Sequence, residues 1–70
     1  MRIIINGDPL ELPHAGAMVA DAVAASGAPA SPDGLAVAVD GEVIPRREWG
    51  VTALRDGQRV EILQAVQGGA

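Results

Sequence analysis

The residues in this chain best suited to chemistry are its last ones. Gln64-Ala65-Val66-Gln67-Gly68-Gly69-Ala70 passes from a strand-like pattern into two glycines with a single residue left. A Gly-Gly end carries no side chains, so it threads a narrow channel and presents an unhindered α-carboxylate to a reactant. With an unperturbed pKa of about 3.3–3.7, that carboxylate is ionised at neutral pH and able to attack the α-phosphate of ATP. Terminal glycines are also a common form of plain flexible end. The tail by itself leaves both readings open.

Elsewhere, the residue types that run active sites are scarce. Cysteine is absent, which removes disulfides, iron–sulfur clusters, thiolate zinc sites and a cysteine nucleophile. His14 is the one histidine, so a histidine-rich metal site is excluded, and its place in a Pro-flanked loop reads as a solvated side chain. No Ser–His–acid set, P-loop or GxGxxG occurs, and no carboxylate pair has a visible cause for a shifted pKa. Arg46 and Arg47 suit an anion, an acidic partner surface or a plain solvated loop. The net charge of −4 makes a nucleic-acid backbone a poor partner. All five basic residues are arginine, so the chain is unable to form lysine-linked polymers of itself.

These residues have to be positioned by a small framework. The chain has 70 residues, enough for one domain. Of its 34 apolar residues, 13 are alanine, so the core is expected to be small. The apolar stretches fall far short of the roughly 20 residues a membrane span needs, and a strand-like run beginning right after Met1 leaves no room for a signal peptide. A cytoplasmic protein is the expectation.

Ile3, Ile4 and Ile5 are β-branched, and Asn6-Gly7 after them is a hairpin signal, because both positions tolerate positive φ. The return strand is expected over 9–12, at a sheet edge because Pro9 lacks an N–H. Residues 19–26 read as a short helix with Val19, Ala22, Val23 and Ser26 on one face, and Gly27 is placed for a left-handed cap before Pro29 and Pro32. Met18 stands where a capping box with Asp21 would want Ser or Thr. Residues 35–39 alternate large and small, turn at Asp40-Gly41 and return over 42–44. Pro45 ends that strand, the 46–49 stretch reads as a single turn bringing Trp49 to the edge of the core, and Arg55-Asp56-Gly57 is a third turn. The last strand is expected over 59–66, with Val60 and Ile62 on one face and Leu63 and Ala65 on the other.

Two hairpins flanking a helix predict an α+β fold in which a mixed four- to five-stranded sheet packs on one helix, in the order β-β-α-β-β. Pairing the first and last strands in parallel closes this into the β-grasp, the fold of ubiquitin, with residues 1–66 as the domain and 67–70 as a flexible tail. Other small α+β sheets fit the same pattern.

Along its whole length the chain resembles the ThiS-type sulfur carriers of thiamin biosynthesis. The resemblance rests on Ile4-Ile5-Asn6-Gly7, Val19-Ala20-Asp21, residues 36–46 (Ala-Val-Ala-Val-Asp-Gly-Glu-Val-Ile-Pro-Arg), Trp49, residues 56–61 and the ending Ala65-Val66-Gln67-Gly68-Gly69. It implies a protein co-substrate and not an enzyme. A ubiquitin-activating-like adenylyltransferase would use ATP to adenylate the Gly69 carboxylate, with Gln67 and Gly68 threading its channel. Sulfur from a cysteine desulfurase or another donor would displace AMP to leave a thiocarboxylate, and thiazole synthase would take the sulfur. No cofactor would be bound permanently, and no metal, nucleic acid or membrane is implied. Met18 departs from the hydroxyl cap usual in the family. Ala70 departs further, because members normally stop at the second glycine.

If the helix covers Ile3, Ile5, Val37, Val39, Val60 and Ile62, alternation places Ile4, Ala36, Ala38, Leu63 and Ala65 on the open face of the sheet. That face, leading through Val66 into the tail, is the expected docking surface for the activating enzyme and the synthase. Competing functions are sulfur delivery to another acceptor (molybdopterin, tRNA thiolation or secondary-metabolite thiolation), a ubiquitin-like protein modifier, and a binding module with an inert tail.

Overall fold

A computed structural model describes residues 1–28 and 34–64. Among the described residues, five strands, one α-helix and one 3-10 turn follow in the order β1 (Arg2–Ile5), β2 (Asp8–Glu11), α1 (Val19–Ala25), β3 (Leu35–Val39), β4 (Glu42–Ile44), the 3-10 turn (Arg46–Glu48) and β5 (Arg59–Gln64). They form one sheet ordered β2-β1-β5-β3-β4. Only the β1–β5 pair is parallel; β1–β2, β3–β4 and β3–β5 are antiparallel. The last strand therefore lies in the middle of the sheet, as the β-grasp reading requires, and the strand count is five. Ala65, Val66 and the expected tail over Gln67, Gly68, Gly69 and Ala70 lie outside the described residues, as do Pro29 and Pro32.

The turns form for the reasons their residues predict. Asn6 and Gly7 have φ of 48° and 86°, and Asp40 and Gly41 have 49° and 85°, the paired left-handed conformation that matches strand twist in two-residue hairpins. Gly57, at φ 86°, turns the chain into β5. Pro9 pairs with Ile4 on the outermost strand. Leu12 N–H donates to the Met1 carbonyl at 2.7 Å, so positions 12, 10 and 8 face β1, and the N–H that Pro9 lacks would point away from the ladder. The strand begins one residue earlier than expected, at Asp8, and Leu12 passes beneath the sheet, 3% exposed.

Helix α1 ends one residue sooner than its pattern predicts, at Ala25. Ser26 is the C-cap and exposed, not a core-facing residue: its hydroxyl donates to the Val23 carbonyl at 2.7 Å, and Gly27 turns away at φ 81°. At the other end, Met18 makes no side-chain cap. Asp21 forms the reverse half of a box, its Oδ2 accepting the Met18 N–H at 2.7 Å. The next two orphan donors are satisfied from outside the helix: Val19 N–H donates to the Thr52 carbonyl at 2.9 Å and Ala20 N–H to the Trp49 carbonyl at 3.0 Å. Leu54 N–H donates to Ala17 at 2.8 Å, so residues 49–54 lie along the start of the helix and replace the missing cap.

The core lies between α1 and one face of the sheet. Ile3, Val19, Val37 and Val60 are its largest fully buried side chains. Ile5 and Val39 are buried beside them, Ile62 is partly buried, and the helix contributes Val19 and Ala22. Trp49 is 7% exposed, and its Nε1–H donates to the Ile44 carbonyl at 2.9 Å. The ring thus packs inside the core, satisfies its one polar atom and ties the end of β4 to the 3-10 turn.

Candidate functional site

The C-terminal residues follow the central strand in sequence, so the candidate site is the end of β5 and the open face around it. The start of β5 is pinned from two sides. Gly57 N–H donates to the Arg2 carbonyl at 2.7 Å, and Arg2 N–H donates to Asp56 Oδ1 at 2.8 Å. Arg59 N–H donates to Asp40 Oδ1 at 3.0 Å and Gln58 Nε2 donates to Oδ2 of the same carboxylate at 3.1 Å. Those two hydrogen bonds, the main-chain one foremost, hold the Asp40 carboxyl below the ordinary aspartate value.

Of the expected docking residues, the structure brings Ile4, Ala38 and Leu63 to one face. Ile4 is half-buried between Pro9 and Arg59, Ala38 pairs with Glu61 on one side and Val43 on the other, and Leu63 pairs with Ala36. Leu63 is 64% exposed. Ala65, Val66, Gln67, Gly68 and Gly69, the remainder of the expected site, lie outside the described residues.

Val43 was absent from the expected set. It is 69% exposed and sits opposite Ala38, so Val43, Ala38, Ala36 and Leu63 make an apolar strip across β4, β3 and the end of β5. The signal was available: a two-residue turn at Asp40-Gly41 fixes Val39 opposite Glu42 and hence Val43 opposite Ala38. The face is also less uniformly apolar than alternation of the large residues suggested. Arg59 and Glu61 share it on β5, and Arg2 and Glu11 close its far side with an ion pair of 3.0 Å.

Other candidates stay apart. His14 is exposed in its loop, its Nδ1 3.2 Å from the Ala15 carbonyl. Arg46 and Arg47 are exposed on the 3-10 turn. Among the described residues there is no cluster of three or more His, Asp or Glu able to hold a metal ion, and no helix is long and apolar enough to cross a membrane.

Among the described residues, a five-stranded mixed sheet with one helix across it defines the ubiquitin-like β-grasp fold. The ThiS family model matches residues 3–69, nearly the whole chain. Two solved structures agree. One is the crystal structure of a thiamine biosynthesis protein (ThiS) from Geobacter metallireducens, 30% identical, covering 99% of this chain and 100% of that one with a TM-score of 0.78. The other is the NMR solution structure of a thiamine biosynthesis protein from the same organism, 30% identical, covering 100% of this chain and 90% of that one with a TM-score of 0.75. No curated protein matches. The chain belongs to the ThiS family, the small sulfur carriers of thiamin biosynthesis.

Proposed function

We propose that this protein carries sulfur as a thiocarboxylate on Gly69 and delivers it to thiazole synthase. In the first step an oxygen of the Gly69 carboxylate attacks the α-phosphate of ATP on a ubiquitin-activating-like adenylyltransferase, and pyrophosphate leaves. In the second, the terminal sulfur of a persulfide, supplied by a cysteine desulfurase or another donor, attacks the acyl carbon and AMP leaves; two electrons from a thiol reductant then cleave the acyl disulfide and free the thiocarboxylate. The carrier binds no cofactor of its own in this cycle, which runs in the cytoplasm, and its partners perform the catalysis. The observation that carries the reading is the family match over residues 3–69 in a fold whose central strand feeds a Gly-Gly ending.

Ala70 bears on the first step. It displaces the carboxylate by one extended residue, about 3.3–3.6 Å, from the place where Gly69 would present it. A misplaced nucleophile loses the alignment on which the rate depends. An extra methyl in a close-fitting channel adds a penalty of about 1–3 kcal/mol, or roughly 10–200-fold. The competent form in this proposal ends at Gly69, reached where a peptidase removes Ala70 or where Ala70 is foreign to the natural chain. The test is sulfur transfer: labelled sulfur loaded on the chain ending at Gly69 is expected in the thiazole product when thiazole synthase is supplied. Its appearance only in a thiolated tRNA or in molybdopterin would reassign the acceptor.

A further inference from the structure

Asn6 does more than turn the first hairpin. Along the parallel β1–β5 pair, Ile4 N–H donates to the Gln58 carbonyl and Asn6 N–H to the Val60 carbonyl, each at 2.9 Å. Continuing that ladder would require the Asn6 carbonyl to accept from Ile62 N–H, and the N–H of residue 8 to donate to the Ile62 carbonyl. The main chain cannot do either, because Asn6 and Gly7 are left-handed and β1 has already reversed into β2. The side chain takes both roles. Its Oδ1 accepts the Ile62 N–H at 2.8 Å and its Nδ2 donates to the Ile62 carbonyl at 3.1 Å. The carboxamide stands in for a peptide group and extends the central pairing one step beyond the end of β1.

We infer that Asn6 is a positioning residue for the C-terminal acyl transfer, fixing the direction in which the chain leaves the sheet toward Gly69. The inference rests on the carrier reading given above. Ile62 is the last residue of β5 held from the β1 side; Leu63 and Gln64 pair only with Ala36 and Leu35 of β3. Gly69 is the seventh residue beyond Ile62, at most about 23–25 Å away along the chain. Without the carboxamide the end of β5 is held on one edge and is free to roll about β3. Residues 61–64 keep their pairing with β3 in the absence of the carboxamide, so the length of chain between the sheet and Gly69 is unchanged. The loss is one of direction, and a misplacement of about 1 Å at a reacting centre costs up to roughly 100-fold.

The test is Asn6→Gly in the chain ending at Gly69, because glycine keeps the left-handed turn and removes both side-chain hydrogen bonds. The activating enzyme is assayed by exchange of labelled pyrophosphate into ATP, dependent on carrier. The expected result is a fall in kcat of about tenfold with KM for the carrier little changed, since the docking face is intact. Ile3→Val, a core truncation matched for loss of thermal stability, is expected to leave kcat unchanged, which separates positioning from mere destabilisation. A fall in kcat of less than about threefold in Asn6→Gly, or an equal fall in Ile3→Val, overturns the inference. Absence of exchange with the unsubstituted chain overturns the carrier reading itself.

Discussion

Leu63 gives the sharpest test of the open face as a docking surface. Its side chain is 64% exposed, one residue before the end of β5. Burying a leucine completely is worth about 1.5–3 kcal/mol, so a partner that covers the remaining two-thirds gains about 1–2 kcal/mol from this residue. Leu63→Ala is therefore expected to raise Kd for the partner by about 5–30-fold. Leu63→Arg is expected to exceed that, because it also places a charge where the partner presents apolar surface. The fold should tolerate arginine: position 63 faces Ala36 across the ladder and shares its face with Glu61, a favourable neighbour for a cation. Isothermal titration against the activating enzyme and against thiazole synthase reads the affinity, and thermal melting checks the fold. Val51→Ala is the control, since Val51 is 76% exposed but lies off the sheet, after the 3-10 turn. Unchanged affinity for both partners in a folded Leu63→Arg protein refutes the docking assignment.

Other consequences follow from the same framework. Leu54→Ala, at a residue 2% exposed, should destabilise the protein by about 2–5 kcal/mol in chemical denaturation, a large fraction of what a domain of this size possesses. Trp49→Phe keeps most of the packing but removes the hydrogen bond from Nε1–H to the Ile44 carbonyl, for an expected loss of about 1 kcal/mol by the same measurement. Because folding lowers the Asp40 pKa, the stability it contributes is complete above the unfolded aspartate value of about 3.9 and is lost as pH falls through the folded value. Denaturation across acidic pH should accordingly show a shallower decline for Asp40→Asn than for the native chain. Deleting residues 68–70 should leave the melting temperature unchanged and abolish sulfur loading, whereas an inert tail would be dispensable for loading.

What could be read from the sequence was what depends on one residue's conformational limits or on strict alternation. Asn6-Gly7, Asp40-Gly41 and Gly57 announce their turns because few other residues adopt positive φ without strain, and Pro9 announces an edge because it lacks a donor. Alternation along 35–39 and 59–64 sorted the core face from the open face correctly, Val37 and Val60 going in and Leu63 out. Residues 49–54 were illegible beyond Trp49 because they have no periodicity: their work is to offer the Thr52 and Trp49 carbonyls to the helix and Leu54 to the core, contacts between segments about 30 residues apart in the chain. Asn6 was legible as a turn former and not as a clamp, since its second role depends on Ile62 lying beside it. Ser26 was misplaced by helical period alone, which does not anticipate that a hydroxyl near a helix end turns back onto its own backbone.

The central claim is that the reactive group of this protein is the carboxylate of Gly69. Its most direct test is the intact mass of the chain ending at Gly69 after incubation with the activating enzyme, ATP and a sulfur donor, beside the 70-residue chain treated in the same way. The account predicts that the shorter form gains the mass difference of sulfur for oxygen at its C-terminus, while the uncut longer form remains unmodified. Efficient thiocarboxylation of the uncut chain at Ala70, or no sulfur gain in the form ending at Gly69, would contradict it.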